Sequence, residues 1–275
     1  MSLDSYALLR QASFGLVDQL AIDALPCELR LQVLRPAWFR GDASLLPALV
    51  DLRELSTRQI EHLLSDYDST PKDRSAPAVA QILFTQVDEG TLRAHLAHRL
   101  TVRLNGRSAL LRYYDPRVLL QLTWMLTQAQ LSELFGPVDR LAYWVDGQWH
   151  TLDKADDEQP ASMVDAQRIA RIGLINEVVG DQSGREALVE ASRYVETALI
   201  TAEQHGLIDE DDRIAFARHV MDVHPRLDAH PKVAAMLKSV DQSNSYRDIA
   251  ALLSDDDWQR IAQELEHTAT TRTVQ

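Results

Sequence analysis

Cysteine is nearly absent from this chain of 275 residues, with Cys27 standing alone. A single thiol rules out an internal disulfide and a Cys-rich zinc site, which fits a reducing compartment. No Gly-rich elbow or regular His spacing surrounds Cys27, so it reads as a small buried hydrophobe rather than a nucleophile. Aromatic residues are also scarce, at 6%, while hydrophobic residues reach 45% and charged residues 25%. That balance belongs to an ordinary globular protein, not a disordered one. Long apolar runs are missing, and none approaches the roughly 18 residues that cross a bilayer. Residues 1–10 lack the basic stretch and apolar run of an export signal, so the expected location is the cytoplasm, with no membrane partner. Basic residues are in deficit, 28 Lys and Arg against 41 Asp and Glu, a net charge of −13. Such a surface argues against nucleic acid or anionic lipid as a partner.

The motifs of several enzyme classes are lacking as well. There is no phosphate-cradling glycine loop, no Gly-x-Ser-x-Gly elbow and no His-Glu-x-x-His. The nearest approach to a metal pair is His95 and His98, three residues apart on an expected helix, but no carboxylate follows at the spacing of a metal-binding helix. The acidic clusters 209–212 and 255–257 read as helix starts, where the dipole favours negative charge; consecutive helical side chains diverge by about 100° and do not converge on a cation. His219, His224 and His230 flank an expected helix end and read as capping or surface residues. The expectation is therefore a protein that is not an enzyme and carries no cofactor and no metal.

The chain also has a clear organisation. Residues 6–12 and 29–34 are short apolar runs that read as strands, with a helix expected over 14–25 from Leu16, Leu20 and Ala24. Ser56 and Gln59 form a capping box for a helix through Leu64, followed by a polar loop over 66–76. A strand is expected over 78–87, then a helix capped by Asp88 with Leu92, Leu96 and Leu100 on one face. Residues 101–114 read as a β-hairpin turning at Asn105-Gly106, because both central positions of its turn require positive φ. That strand runs directly into a helix with Asp115 as N-cap and Pro116 at the first position. A further helix ends at Gly136-Pro137, and a last hairpin over 141–152 turns at Asp146-Gly147.

Residues 153–162 are acidic, polar and contain Pro160, and mark the expected linker. Beyond it everything reads helical, with apolar stripes at Leu188, Ala191, Val195, Ala198, Leu199 and Ala202 and at Ile214, Ala217, Val220 and Met221. Helix starts are expected at Asp209, at Pro231, and at Ser254 with Asp257. The expected organisation is an α+β lobe over 1–152 built on a mixed sheet with flanking helices, a linker over 153–162, an all-helical lobe over 163–268 and a frayed tail over 269–275. Charge follows the same division. Residues 1–150 hold 15 basic and 17 acidic residues, whereas 151–275 hold 13 and 24, so the halves present different surfaces.

The most distinctive stretch is Arg112-Tyr113-Tyr114-Asp115-Pro116-Arg117-Val118-Leu119. Strand alternation predicts Arg112 and Tyr114 on one face and Tyr113 on the other, with Arg112 in reach of Asp115. Arg117 in a first helical turn opposes the dipole and so requires an anionic partner, inside the fold or outside it. With Leu134-Phe135-Gly136-Pro137 after the next helix, this stretch resembles the signature of the type VI secretion effector chaperones and adaptors. Tyr6-Ala7-Leu8-Leu9 and Pro47-Ala48-Leu49-Val50 are similar to that family's opening strand and its Ala-Pro-x-Leu-Val stretch. The family's opening acidic residue is missing near Arg10 and Gln11, and Arg35-Pro36-Ala37-Trp38 stands where many members have Leu-Phe-x-Gly. The resemblance covers residues 5–150 and is looser beyond. It implies a non-enzymatic protein that binds a secreted effector and loads it onto the VgrG or PAAR spike, with Arg112, Tyr113, Tyr114, Asp115, Pro116, Arg117, Phe135, Gly136 and Pro137 as candidate partner-binding residues. The competing readings are an immunity protein that neutralises a toxin and a hydrolase whose site forms only in three dimensions.

Overall fold

A computed structural model describes residues 4–21, 28–69, 76–155, 163–180, 184–241 and 243–273. Cys27 and residues 156–162 of the expected linker lie outside these. The chain divides into two compact units, Met1–Ile172 with Ser183–Arg185, and Gly173–Gln182 with Glu186–Gln275.

In the first unit the opening elements are reversed from expectation. Asp4 accepts a hydrogen bond from the Tyr6 N–H at 3.0 Å and caps helix α1 (Ser5–Gln11), where a strand was expected; Leu8 and Leu9 form its buried face. Strand β1 (Phe14–Asp18) then occupies the start of the expected helix. Short apolar runs fit either period, and packing decides between them. Leu20, counted toward the helical stripe, is 62% exposed. Gly15 lets neighbouring strands close in, since a Cβ there would stand 2.7 Å from Val79 Cγ1 and 3.1 Å from Val50 Cγ1.

Of the expected strand over 29–34, β2 (Gln32–Val33) alone joins the sheet, and β3 (Pro47–Asp51) opens on a proline, the strand position where a missing N–H is tolerated. The Ser56–Gln59 capping box is formed in both directions, at 3.0 and 3.3 Å, but helix α2 (Thr57–Ser69) runs past Leu64 into the expected loop. Then follow β4 (Val79–Phe84), α3 (Glu89–Arg99) capped by Asp88, and the hairpin β5 (Thr101–Leu104) and β6 (Arg107–Leu110), with Asn105 at φ +49° and Gly106 at +77°. Helices α4 (Pro116–Met125) and α5 (Gln128–Phe135) lead to β7 (Arg140–Val145) and β8 (Gln148–Asp153), joined at Asp146 and Gly147, both with positive φ.

Six strands form one sheet in the order β2-β3-β1-β4-β7-β8, and every neighbouring pair is antiparallel rather than mixed. One face, with Val17, Val50, Val79, Ile82, Ala142 and Trp149, packs against Leu8 and Leu9 of α1 and Ile60, Leu63 and Tyr67 of α2. Tyr67 stacks on Trp144 at 5.2 Å and donates its hydroxyl hydrogen to the Val79 carbonyl. Positions on the other face include Leu16, Leu49, Gln81 and Tyr143, and Gln81 Nε2 reaches the Tyr113 carbonyl at 2.7 Å. Helix α6 (Ala166–Ala170) belongs with this unit. It packs on β5, and Arg168 donates to the Met125 carbonyl at 3.0 Å. The division between units thus falls after Ile172, beyond the 153–162 segment.

The regular elements of the second unit, among its described residues, are all helices: α7 (Ile172–Val178), α8 (Arg185–Gln204), α9 (Glu210–Asp222), a 3-10 turn (Leu227–Ala229), α10 (Pro231–Ser239), α11 (Tyr246–Ala250) and α12 (Asp255–Thr273). The backbone of α12 stays helical to Thr273, within the stretch expected to fray; residues 274–275 lie outside the described residues. Val195, Ala198, Leu199 and Ala202 of α8 and Ile214, Ala217 and Val220 of α9 are buried, as the stripes predict. Buried Asp212 binds α9 to α11, each carboxylate oxygen accepting a backbone N–H, from Tyr246 and Arg247, at 3.0 Å. His219 stacks on Trp258 at 4.4 Å and meets the Tyr246 hydroxyl at 3.0 Å. Among the described residues, no helix is long and apolar enough to cross a membrane.

Candidate functional site

Residues 111–115 leave the β6 ladder, so Arg112 to Asp115 form a turn rather than a continued strand. The turn closes with the Asp115 N–H donating to the Arg112 carbonyl at 2.9 Å. Tyr113 is fully buried beneath it, its hydroxyl donating to the Leu96 carbonyl of α3 at 2.9 Å while its own carbonyl receives Gln81. This turn therefore ties the sheet to α3, and burial pushes the Tyr113 phenol well above its usual range. Tyr114 points elsewhere. Its hydroxyl donates to the Leu45 carbonyl just ahead of β3, at 3.2 Å.

Asp115 caps α4, as the sequence predicts, through the Arg117 N–H at 3.0 Å, and its two oxygens also hold the Arg117 guanidinium through Nε at 3.1 Å and Nη2 at 2.8 Å. Arg117 therefore finds its anion two residues away, and that hydrogen-bonded carboxylate raises its pKa. Asp51 and Arg53 repeat the fork at the end of β3. Arg112 Nη2 lies 4.0 Å from Asp115 Oδ2, and its guanidinium carbon 5.6 Å from the centre of the Tyr114 ring. Replacing Asp115 with alanine removes a cap and the grip on Arg117. The expected cost is about 1–2 kcal/mol of stability, read from urea midpoints; an unchanged midpoint contradicts the capping role.

The Phe135-Gly136-Pro137 end is a separate corner of the same unit. Gly136 has φ +55°, and a Cβ there would run into the His95 ring. His95 Nε2 donates to the Leu134 carbonyl at 3.0 Å, Lys154 Nζ to the Gly136 carbonyl at 2.7 Å, and Thr85 Oγ1 to the Pro137 carbonyl at 2.6 Å. His95 is thus committed to closing α5 onto α3. Among the described residues, no three His, Cys, Asp or Glu side chains gather as a metal site. The acidic clusters serve helix starts: Asp209 caps the Asp212 N–H, and Asp257 accepts hydrogen bonds from Lys232 and Ser254, which hold its carboxyl down at about 2.

Burial is the main cause that lowers the pKa of His95, His150 and His219; the Leu134 carbonyl partly opposes it at His95 and Asp222 at His219. A base whose folded pKa lies below its unfolded value binds fewer protons when folded. The stability it contributes is complete above the unfolded value near 6.5 and falls as pH drops through it. Urea midpoints are expected to fall between pH 7.5 and 5.5, and a flat profile contradicts this account.

Of the nine signature residues, Arg112 and Arg117 alone are exposed. The rest are buried or half-buried and hold the fold. Around the exposed pair the fold gathers residues that sequence reasoning missed. Asp18, at the end of β1, acts electrostatically on Tyr114 and Arg117, and Leu45 carries the carbonyl that Tyr114 grips. No local signal marks these residues, because strand pairing across the sheet is what brings them to the turn.

Residues 6–133 match the model of a domain of unknown function, DUF4123. No curated protein and no solved structure matches the chain. The DUF4123 segment spans α1 through most of α5 and includes the whole of the Arg112–Arg117 turn. The Phe135–Pro137 corner and the β7–β8 hairpin lie beyond it.

Proposed function

We propose that this chain is an adaptor that binds a type VI secretion effector in the cytoplasm and helps load it onto a VgrG or PAAR spike, without catalysing a reaction. One observation carries the reading: within the DUF4123 segment, the most distinctive stretch of the sequence folds as a rigid corner that spends its aromatic and acidic members inside and presents two guanidinium groups outside. Such a corner suits holding a partner. The family resemblance of the same residues supplies the identity of that partner, and the helical unit, with its acidic surface, offers a second, chemically different face.

The test is affinity purification of the tagged chain from its native host, followed by mass spectrometry. A toxin-like protein recovered together with a spike component is the expected result. A toxin alone, with protection of sensitive cells on expression of this chain, overturns loading in favour of immunity. Recovery of neither overturns the adaptor reading.

A further inference from the structure

On segments tied to the Arg112–Arg117 turn, two leucines are held out of the core. Leu20 is 62% and Leu45 50% exposed. Isolated exposed leucines are common and by themselves mean nothing. These two differ in how their backbone is fixed. Asp18 Oδ1 accepts the Leu20 N–H at 3.0 Å, Gln19 Nε2 donates to the carbonyls of Ala43 and Leu46, and the Tyr114 hydroxyl donates to that of Leu45. These contacts tie the Leu45 backbone to the turn that carries Arg112 and Arg117, and the Asp18–Leu20 segment to the segment of Leu45.

The polar half of this surface is one-sided in what it offers. Asp115 spends its oxygens on three hydrogen bonds to Arg117, and Asp18 spends Oδ1 on Leu20. Arg117 turns Nε and Nη2 toward Asp115, and its side chain is still 64% exposed. The Arg112 and Arg117 tips lie within 4.0 Å of one oxygen, Asp115 Oδ2, close enough together for a single carboxylate to bridge their outer edges. The surface thus presents donors and aliphatic carbon, with both Asp115 oxygens and Asp18 Oδ1 already engaged.

We propose that Leu20, Leu45, Arg112 and Arg117 form the docking surface for an acidic segment of the partner protein, in which an Asp or Glu carboxylate bridges the two guanidinium groups and a neighbouring aliphatic or aromatic side chain covers the leucines. This rests on the adaptor reading above and names the chemistry that its partner must carry. Charge complementarity sets the orientation, and contact with the leucines, once water is excluded, supplies the more durable part of the attraction.

The experiment uses the full chain and a phage-displayed random peptide library as the probe. Enriched sequences are expected to carry Asp or Glu beside Leu, Ile or Phe. Their affinity should fall roughly tenfold with Arg112→Glu and with Leu45→Asp, and exchanging the peptide's acid for Lys should restore binding to Arg112→Glu. Both substitutions lie at exposed side chains, and an unchanged melting curve verifies the fold. Enrichment of peptides without acid, binding indifferent to both variants, or self-association of the chain abolished by Leu45→Asp overturns the proposal. The same variants, carried into the purification from the host, separate the two ideas. If they retain toxin and spike as the wild-type chain does, this surface is wrong and the adaptor reading stands; if the wild-type chain retains neither, the adaptor reading itself is lost.

Discussion

Tyr113→Ala is expected to cost about 3–5 kcal/mol, enough to leave the first unit largely unfolded at moderate temperature. The side chain is fully buried between the sheet and α3, so truncation opens a cavity the size of an aromatic ring. It also takes from the Leu96 carbonyl the phenolic hydrogen it receives at 2.9 Å, leaving that oxygen the Leu100 N–H alone. Tyr113→Phe keeps the ring and loses that bond alone, and should cost about 1 kcal/mol. The pair of variants, compared by urea unfolding, separates packing from hydrogen bonding. If Tyr113→Ala were tolerated with a loss under 1 kcal/mol, Tyr113 would not be the pin that holds the signature turn to the sheet.

A second large effect is expected at Gly136, where Gly136→Ala should cost about 3 kcal/mol. Two penalties combine there. The backbone at φ +55° and ψ −104° lies in a region that a Cβ disfavours, and the new methyl group falls where the His95 ring now lies. To make room the ring must swing away and give up its bond to the Leu134 carbonyl. Removing the ring first should relieve part of the cost, so Gly136→Ala is expected to be milder in a His95→Ala background by about 1 kcal/mol. Equal costs in the two backgrounds would show that backbone strain alone is responsible.

These two residues also show how the signature divides. Tyr113, Pro116 and Phe135 are buried and Gly136 is sterically required, so their presence reports a fold. Arg112 and Arg117 are exposed, so the core places no demand on their outer edges. The sequence alone does not draw that line, because it depends on which side chains the sheet covers.

Legibility varied with how local the deciding interaction is. Both hairpins were readable from Asn105-Gly106 and Asp146-Gly147, since their turns require positive φ within the dipeptide itself. The helix starts at Ser56, Asp88, Asp115, Asp209, Pro231 and Ser254 were readable for the same reason: a cap is made within three residues. The exchange of helix and strand over residues 5–18 was not readable, because Leu8, Leu9, Leu16 and Val17 satisfy either period until Asp4 caps the first segment and Gly15 admits its neighbouring strands. Strand β3 passed unrecognised as a strand, and its pairing with β1 is what carries Leu45 to Tyr114 and Asp18 toward Arg117. The site was accordingly half visible. Its cations stood in the signature, while Leu45 and the Asp18-Gln19-Leu20 stretch became neighbours only through sheet register.

The stacking of His219 on Trp258 has an optical consequence. Trp258 is the one tryptophan of the second unit, while Trp38, Trp124, Trp144 and Trp149 belong to the first. An excited indole gives up an electron more readily to an imidazolium than to a neutral imidazole, so emission from Trp258 dims as His219 gains its proton. In a chain with the other four replaced by phenylalanine, fluorescence would follow the melting of the helical unit by itself and, in the native state, the titration of a single ring.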